Sequence, residues 1–165
     1  MKRLIALLLL TVSMLTGRVL AEDLVRYQST QNGLQLLFPG EADIDTDDGQ
    51  KLILEGDDYL FSAIYFDPES TDDETLQEGY AGILLSSGID VEKGKKSEFE
   101  SKTLIGAMFV NADADMLSIS GIVYSKENPD DFGFIFHFLS GHEHKNLAVK
   151  CVKSLEFHPE EIEED

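Results

Sequence analysis

Apolar residues recur at every second position through much of this chain, and at two places they shift to helical spacing. The clearest alternation comes late. Phe132, Phe134, Phe136 and Phe138 share one parity, while Ile135, His137 and Leu139 occupy the other. Large aromatic residues at period two suit a pleated surface, so this stretch predicts a strand committed on both faces. Residues 59–66 are also largely apolar in both parities and predict another covered strand. Weaker alternation at 24–28 and a run of Leu34, Leu36, Leu37 and Phe38, halted by Pro39 and Gly40, predict two opening strands. Asp47, Asp48 and Gly49 precede the apolar alternation of 51–55, a hairpin signal because such a turn needs residues that tolerate positive φ. Residues 97–110 predict a single long strand. A turn follows at 111–115, then a strand at 116–125 and a turn cluster at 128–131.

The first helical pattern follows Thr71, an N-cap candidate with Glu74 three residues on, the spacing of a capping box. Leu76, Tyr80, Ile83 and Leu84 then fall on one face, and Gly88 is placed to end the helix. The second begins at Ser140 with Glu143 as its box, and Leu147, Ala148, Cys151, Val152 and Leu155 line one face. Lys145, Lys150 and Lys153 point elsewhere. A short closing strand follows.

Tight turns between consecutive strands favour antiparallel pairing, so the expected fold class is α+β, an antiparallel β-sheet flanked by α-helices. Residues 1–21 stand apart from this pattern. Lys2 and Arg3 form a basic start, residues 4–15 an apolar stretch, and Val19, Leu20 and Ala21 end it in positions a signal peptidase accepts. The stretch is interrupted at Thr11 and Ser13 and is shorter than the ~18 residues a membrane span requires. The expected organisation is a cleaved signal peptide at 1–21, a single α+β domain at 22–157 and an acidic tail at 158–165, in a periplasmic or secreted protein. A domain of that size buries a core without cross-links. Cys151 is the only cysteine, which excludes an intramolecular disulfide, and its place on the apolar helix face predicts a core residue.

Charge narrows the partners. Against 13 Lys and Arg stand 32 Asp and Glu, a net charge of −19. Loss of residues 1–21 removes Lys2, Arg3 and Arg18 and no acid. A field of this sign repels nucleic-acid backbones and anionic membrane surfaces and attracts basic proteins.

Candidate chemistry is sparse. Asp43, Asp45 and Asp47 have the spacing that opens a calcium loop, but Gly49 is one place late and Leu54, not Glu55, falls at the position of the bidentate acid. An acidic hairpin turn over 43–48 is the expectation, with a weak cation site as its alternative. His137, His142, His144 and Cys151 are residue types that zinc prefers. Two histidines separated by two places in a first helical turn do not share a face, and His137 falls mid-strand, so a buried His137 and exposed His142 and His144 are expected instead. No nucleophile elbow is present, and Cys151 lacks an electropositive setting. The carboxylate pairs Asp57/Asp58 and Asp72/Asp73 are explained by solvent or a helix start. No catalytic, cofactor-binding or metal-ligating residue is assigned, and no cofactor is expected.

Three segments carry a resemblance. The run Asn32-Gly33-Leu34-Gln35-Leu36-Leu37-Phe38-Pro39 resembles the opening strand and proline turn of the PsbP/Mog1-like family. The middle helix before a long meander is similar to that family's order of elements. Val149-Lys150-Cys151-Val152-Lys153-Ser154-Leu155-Glu156-Phe157 resembles its closing helix and strand. The resemblance implies an antiparallel sheet sandwiched by helices, and a role as an exported or organellar adaptor or assembly factor without catalysis. The leading expectation is a non-enzymatic exported binding domain whose partner is an envelope or secreted protein, with no nucleic acid and no membrane span after cleavage. The alternative is a carrier of a small or metal cation, and a third is a secreted hydrolase.

Overall fold

The structure, a computed structural model, describes residues 24–29, 31–47, 49–71, 74–75, 95–112 and 115–159. Ten strands account for most of them. β1 (Leu24–Gln28), β2 (Leu34–Pro39) and β10 (Glu156–Phe157) form a three-stranded antiparallel sheet in the order β1-β2-β10. β3 (Asp43–Asp47), β4 (Lys51–Glu55), β5 (Tyr59–Phe66), β6 (Lys95–Glu100), β7 (Leu104–Ala112), β8 (Met116–Ser125) and β9 (Gly133–Gly141) form a seven-stranded sheet, ordered β3-β4-β5-β9-β8-β7-β6. Every pairing is antiparallel. One α-helix, α1 (Lys145–Lys153), follows a 3₁₀ turn at His142–His144. The described chain is therefore a sheet-rich fold with one short helix.

Period two decides what the large sheet buries. On β9, Phe134, Phe136 and Phe138 enter the main core together with Phe61 and Ala63 of β5, Leu52 and Leu54 of β4, and Ile119 and Val123 of β8. The small sheet and α1 close this face. Leu34, Leu36 and Phe38 project from β2, and Ala148, Cys151 and Val152 from α1, into the same cluster. Ala148, Cys151 and Val152 follow the i, i+3, i+4 rule that puts residues on one side of a helix. Phe38 sits 6.2 Å from Phe138 and 6.3 Å from Tyr59, ring to ring. A fully buried phenylalanine contributes about 1.5–3 kcal/mol, so the five such residues on these strands, with Phe99 of β6, dominate the core. The opposite parity of β9 is buried as well, with Ile135 and Phe66 forming a second, smaller cluster against Ile122 and Tyr124.

Two hydroxyls stitch the layers together. The Ser154 Oγ donates to the Cys151 carbonyl at 2.6 Å and accepts the Leu37 N–H at 2.7 Å, joining the end of α1 to β2. Thr103 Oγ1 accepts the Phe157 N–H at 2.6 Å, joining β10 to the β6–β7 turn.

The structure corrects several readings of the sequence. Residues 97–110 are not one strand. They split between β6 and β7, where the Ser101 N–H donates to the Leu104 carbonyl and the Leu104 N–H to Ser101 Oγ. Without glycine or proline this turn leaves little trace in the sequence. Ser140 does not cap a helix. It stays in β9, paired with Tyr59 and Leu117, and its hydroxyl donates to the Gly141 carbonyl, so α1 starts only at Lys145. Leu155 lies beyond the helix yet is buried in the same core. The acidic segment at 43–48 is not a turn but largely strand, β3, whose pairing with β4 contains a bulge between Ile44 and Thr46. The hairpin at Asp47 and Gly49 forms as expected, joining β3 to β4. The helix expected over 71–88 lies outside the described residues except for Thr71, Glu74 and Thr75, of which the last two are helical. The segments 1–21 and 160–165 lie outside them too. No helix among the described residues is long and apolar enough to cross a membrane.

Candidate functional site

The recess of interest lies at one end of the large sheet, around the turn between β4 and β5. Ladder register builds it. Glu55 pairs with Leu60, Tyr59 with Ser140, and Met116 with Gly141, so the β4–β5 turn, the start of β8 and the end of β9 meet at one edge. The chain leaving β2 comes to the same place. Pro39 ends that strand, and Gly40, at φ +71°, turns the backbone through a region other residues rarely adopt. The Gly56 N–H donates to the Tyr59 carbonyl at 2.9 Å and holds the β4–β5 turn closed.

Two cavities flank this turn. One, of about 570 Å³, is lined by Glu41, Asp43, Glu55, Asp57 and Asp58 with Pro39 and Tyr59. All five carboxylates are exposed. The other, of about 460 Å³, lies across the turn, where Leu60, Met116 and Leu139 supply an apolar lining. Glu55, Gly56, Asp57, Asp58 and Tyr59 line both. No Lys or Arg among the described residues lines either cavity. Tyr59 is the fixed wall between them, 8% exposed and packed 5.1 Å from the His144 ring and 6.1 Å from Phe138.

This arrangement can attract and hold a cationic group beside an apolar one. Water-exposed carboxylates attract cations over roughly a Debye length, ~8–10 Å at ordinary salt. The adjoining apolar wall supplies a surface whose burial rewards contact.

The residues singled out from sequence are dispersed. Asp43 lines the acidic cavity, but Asp47 accepts the Ser29 hydroxyl at 2.5 Å, tying β3 to the end of β1, and Asp45 is exposed on the bulged edge. The Ser29 hydroxyl also accepts the Gln31 and Asn32 N–H groups. His137 lies 3.0 Å from the Ser118 hydroxyl on the buried second face, and burial pulls its pKa down to about 4. Cys151 is fully buried in the main core, and His142 is exposed in the 3₁₀ turn. His144 Nε2 stands 3.5 Å from Glu143. Among the described residues, no three His, Cys, Asp or Glu come together as a metal-holding group. Asp72 and Asp73 lie outside the described residues.

Asp57 and Asp58 stand out in the sequence as a doubled acid, whereas nothing in it shows that Glu41, Asp43 and Glu55 join them or that Met116 lines the apolar side. The doubled acid after Gly56 was the available signal. The convergence itself depends on pairings between distant strands. No protein-family model and no curated protein matches this chain.

Proposed function

We propose that this protein is an exported, non-enzymatic binding domain that recognises a basic protein partner through the acidic end of its large sheet. The observation that carries this reading is the meeting of Glu41, Asp43, Glu55, Asp57 and Asp58 around one cleft, with no basic side chain among its described lining residues. Carboxylates drawn together from separate segments create a local field stronger than their even scatter would, and such a field speeds encounter with a cationic surface. The net charge of −19 acts in the same direction.

Export rests on the basic start and apolar stretch of residues 1–21, just ahead of β1 at Leu24. The fold reading within this proposal is a PsbP/Mog1-like sandwich. It is supported by a β2 that ends in Pro39 and by an α1 that passes through Ser154 into a closing strand beside β2.

The test is affinity capture from the host's envelope extract, eluted with rising salt. A parallel capture uses a variant carrying Glu41→Gln, Asp43→Asn, Glu55→Gln, Asp57→Asn and Asp58→Asn. A stoichiometric partner held at low salt, released at high salt and missed by the variant is the expected result. A partner retained equally by both proteins, or at both salt levels, overturns the reading.

A further inference from the structure

The apolar cavity beside the acidic cleft is a second place where a partner can seat. Its lining combines Leu60, Met116 and Leu139 with Tyr59 and the carboxylates of Glu55, Asp57 and Asp58. Met116 is 47% exposed there. Methionine is unbranched and adapts its shape to what packs on it, a property used at peptide-binding surfaces. A volume of about 460 Å³ falls in the range of cavities that take up a ligand group.

Charge selects among occupants. A carboxylate rim disfavours an anionic lipid headgroup, and a second copy of this chain would bring a net charge of −19 against the same sign. A cationic occupant with an apolar portion meets both walls. The two cavities share the ridge formed by Gly56, Asp57 and Asp58. Successive side chains of an extended polypeptide point to opposite sides, about 3.3 Å of rise apart. One segment lying along the ridge, with its two faces turned toward the two cavities, therefore places an apolar side chain in one while its neighbour reaches the carboxylates of the other.

We propose that the Leu60–Met116–Leu139 cavity docks an apolar side chain of an extended basic segment from a partner polypeptide, with the adjacent Lys or Arg held by Asp57, Asp58 and the acidic cleft. This rests on the binding role argued above and adds what the partner must contain: an apolar residue next to a cation.

The test is fluorescence anisotropy on the full chain with two labelled hexapeptides, one alternating lysine and leucine, the other lysine and serine. The lysine–leucine peptide should bind saturably, at least tenfold more tightly than the lysine–serine peptide. Met116→Ser, a change at a half-exposed site, should remove that tenfold advantage and leave the weaker peptide unaffected. The pair Asp57→Asn and Asp58→Asn should weaken both peptides, whereas Asp130→Asn with Asp131→Asn, at the distant β8–β9 turn, should weaken neither. Equal binding of the two peptides, or no effect of Met116→Ser, overturns the apolar docking while leaving the acidic recognition intact. Absence of saturable binding by either peptide overturns both. Two further outcomes overturn the polypeptide occupant. One is full competition by octylammonium at the peptide's own concentration, which assigns the cavity to a small organic cation. The other is self-association in sedimentation that Met116→Ser abolishes, which assigns it to a second copy.

Discussion

The His137 imidazole and the Ser118 hydroxyl, on adjacent strands of the large sheet, face each other across 3.0 Å in a buried setting. Either the hydroxyl donates to Nε2 or the ring N–H donates to Oγ, and a neutral ring can make either bond. The described residues in register with His137, Ser62 on β5 and Ser120 on β8, bring no charge that would compensate an imidazolium. Burial accordingly lowers the His137 pKa from 6.5 to about 4.

The sign of the linkage follows from that direction. Well above pH 6.5 the ring is neutral whether the chain is folded or not, and it adds no pH dependence. As pH falls from about 6.5 to about 4 the unfolded chain takes up a proton that the folded one refuses, so stability is lost across that window, by about 3 kcal/mol in all. His137→Gln keeps a hydrogen-bonding partner for Ser118 without the titration. Urea unfolding at pH 7, 5.5 and 4.5 should show wild type losing more stability than the variant, since the carboxylates are common to both. Parallel losses would refute the assignment.

Gly121, in the middle of β8, lies beneath the Phe136 ring and beside the Ala107 carbonyl. An added Cβ would come 2.7 Å from the ring and 2.5 Å from that oxygen. Backbone on one side and a packed core aromatic on the other leave no easy relaxation. Gly121→Ala should destabilise by roughly 1–3 kcal/mol, the usual cost of overpacking, read as a lower urea midpoint with unchanged slope.

Ser154 holds α1 to β2 through two hydrogen bonds made by one hydroxyl. Ser154→Ala leaves the Leu37 N–H without this acceptor in a partly buried place. A loss of about 1–3 kcal/mol is expected, together with faster hydrogen exchange at the Leu37 amide. Unchanged exchange there would show that the hydroxyl does not carry the junction.

Cys151 is fully buried among the core residues that α1 contributes. Its thiol should react with an aromatic disulfide reagent only as fast as the protein opens, and labelling should accelerate steeply at the urea midpoint. Fast stoichiometric labelling of the native protein would place the residue at the surface.

The strands were readable where a local rule forced them. Phe134, Phe136 and Phe138 announce one buried face whatever they pack against, and Asp and Gly between two alternating runs mark the β3–β4 hairpin, although Gly49 itself does not take up a positive φ there. The β6–β7 turn carries no glycine or proline to mark it: Ser101 closes it locally by accepting the Leu104 N–H, and Thr103 is fixed by the Phe157 N–H, a contact that depends on the distant β10. Ser140 misled for the complementary reason: its capping signal is local, but pairing with Tyr59 and Leu117 keeps it in the sheet.

The sequence by itself determined the acidic character, the lone cysteine on an apolar face and most of the strands, because charge and period two are properties of the chain alone. Tertiary structure decided that β10 leaves the large sheet to pair with β2, and that Glu41, Asp43, Glu55, Asp57 and Asp58 share one cleft beside Met116. Those outcomes turn on which distant strands lie side by side and in what register. Side-chain alternation within a strand fixes the face a residue presents, but not the neighbour that face will meet.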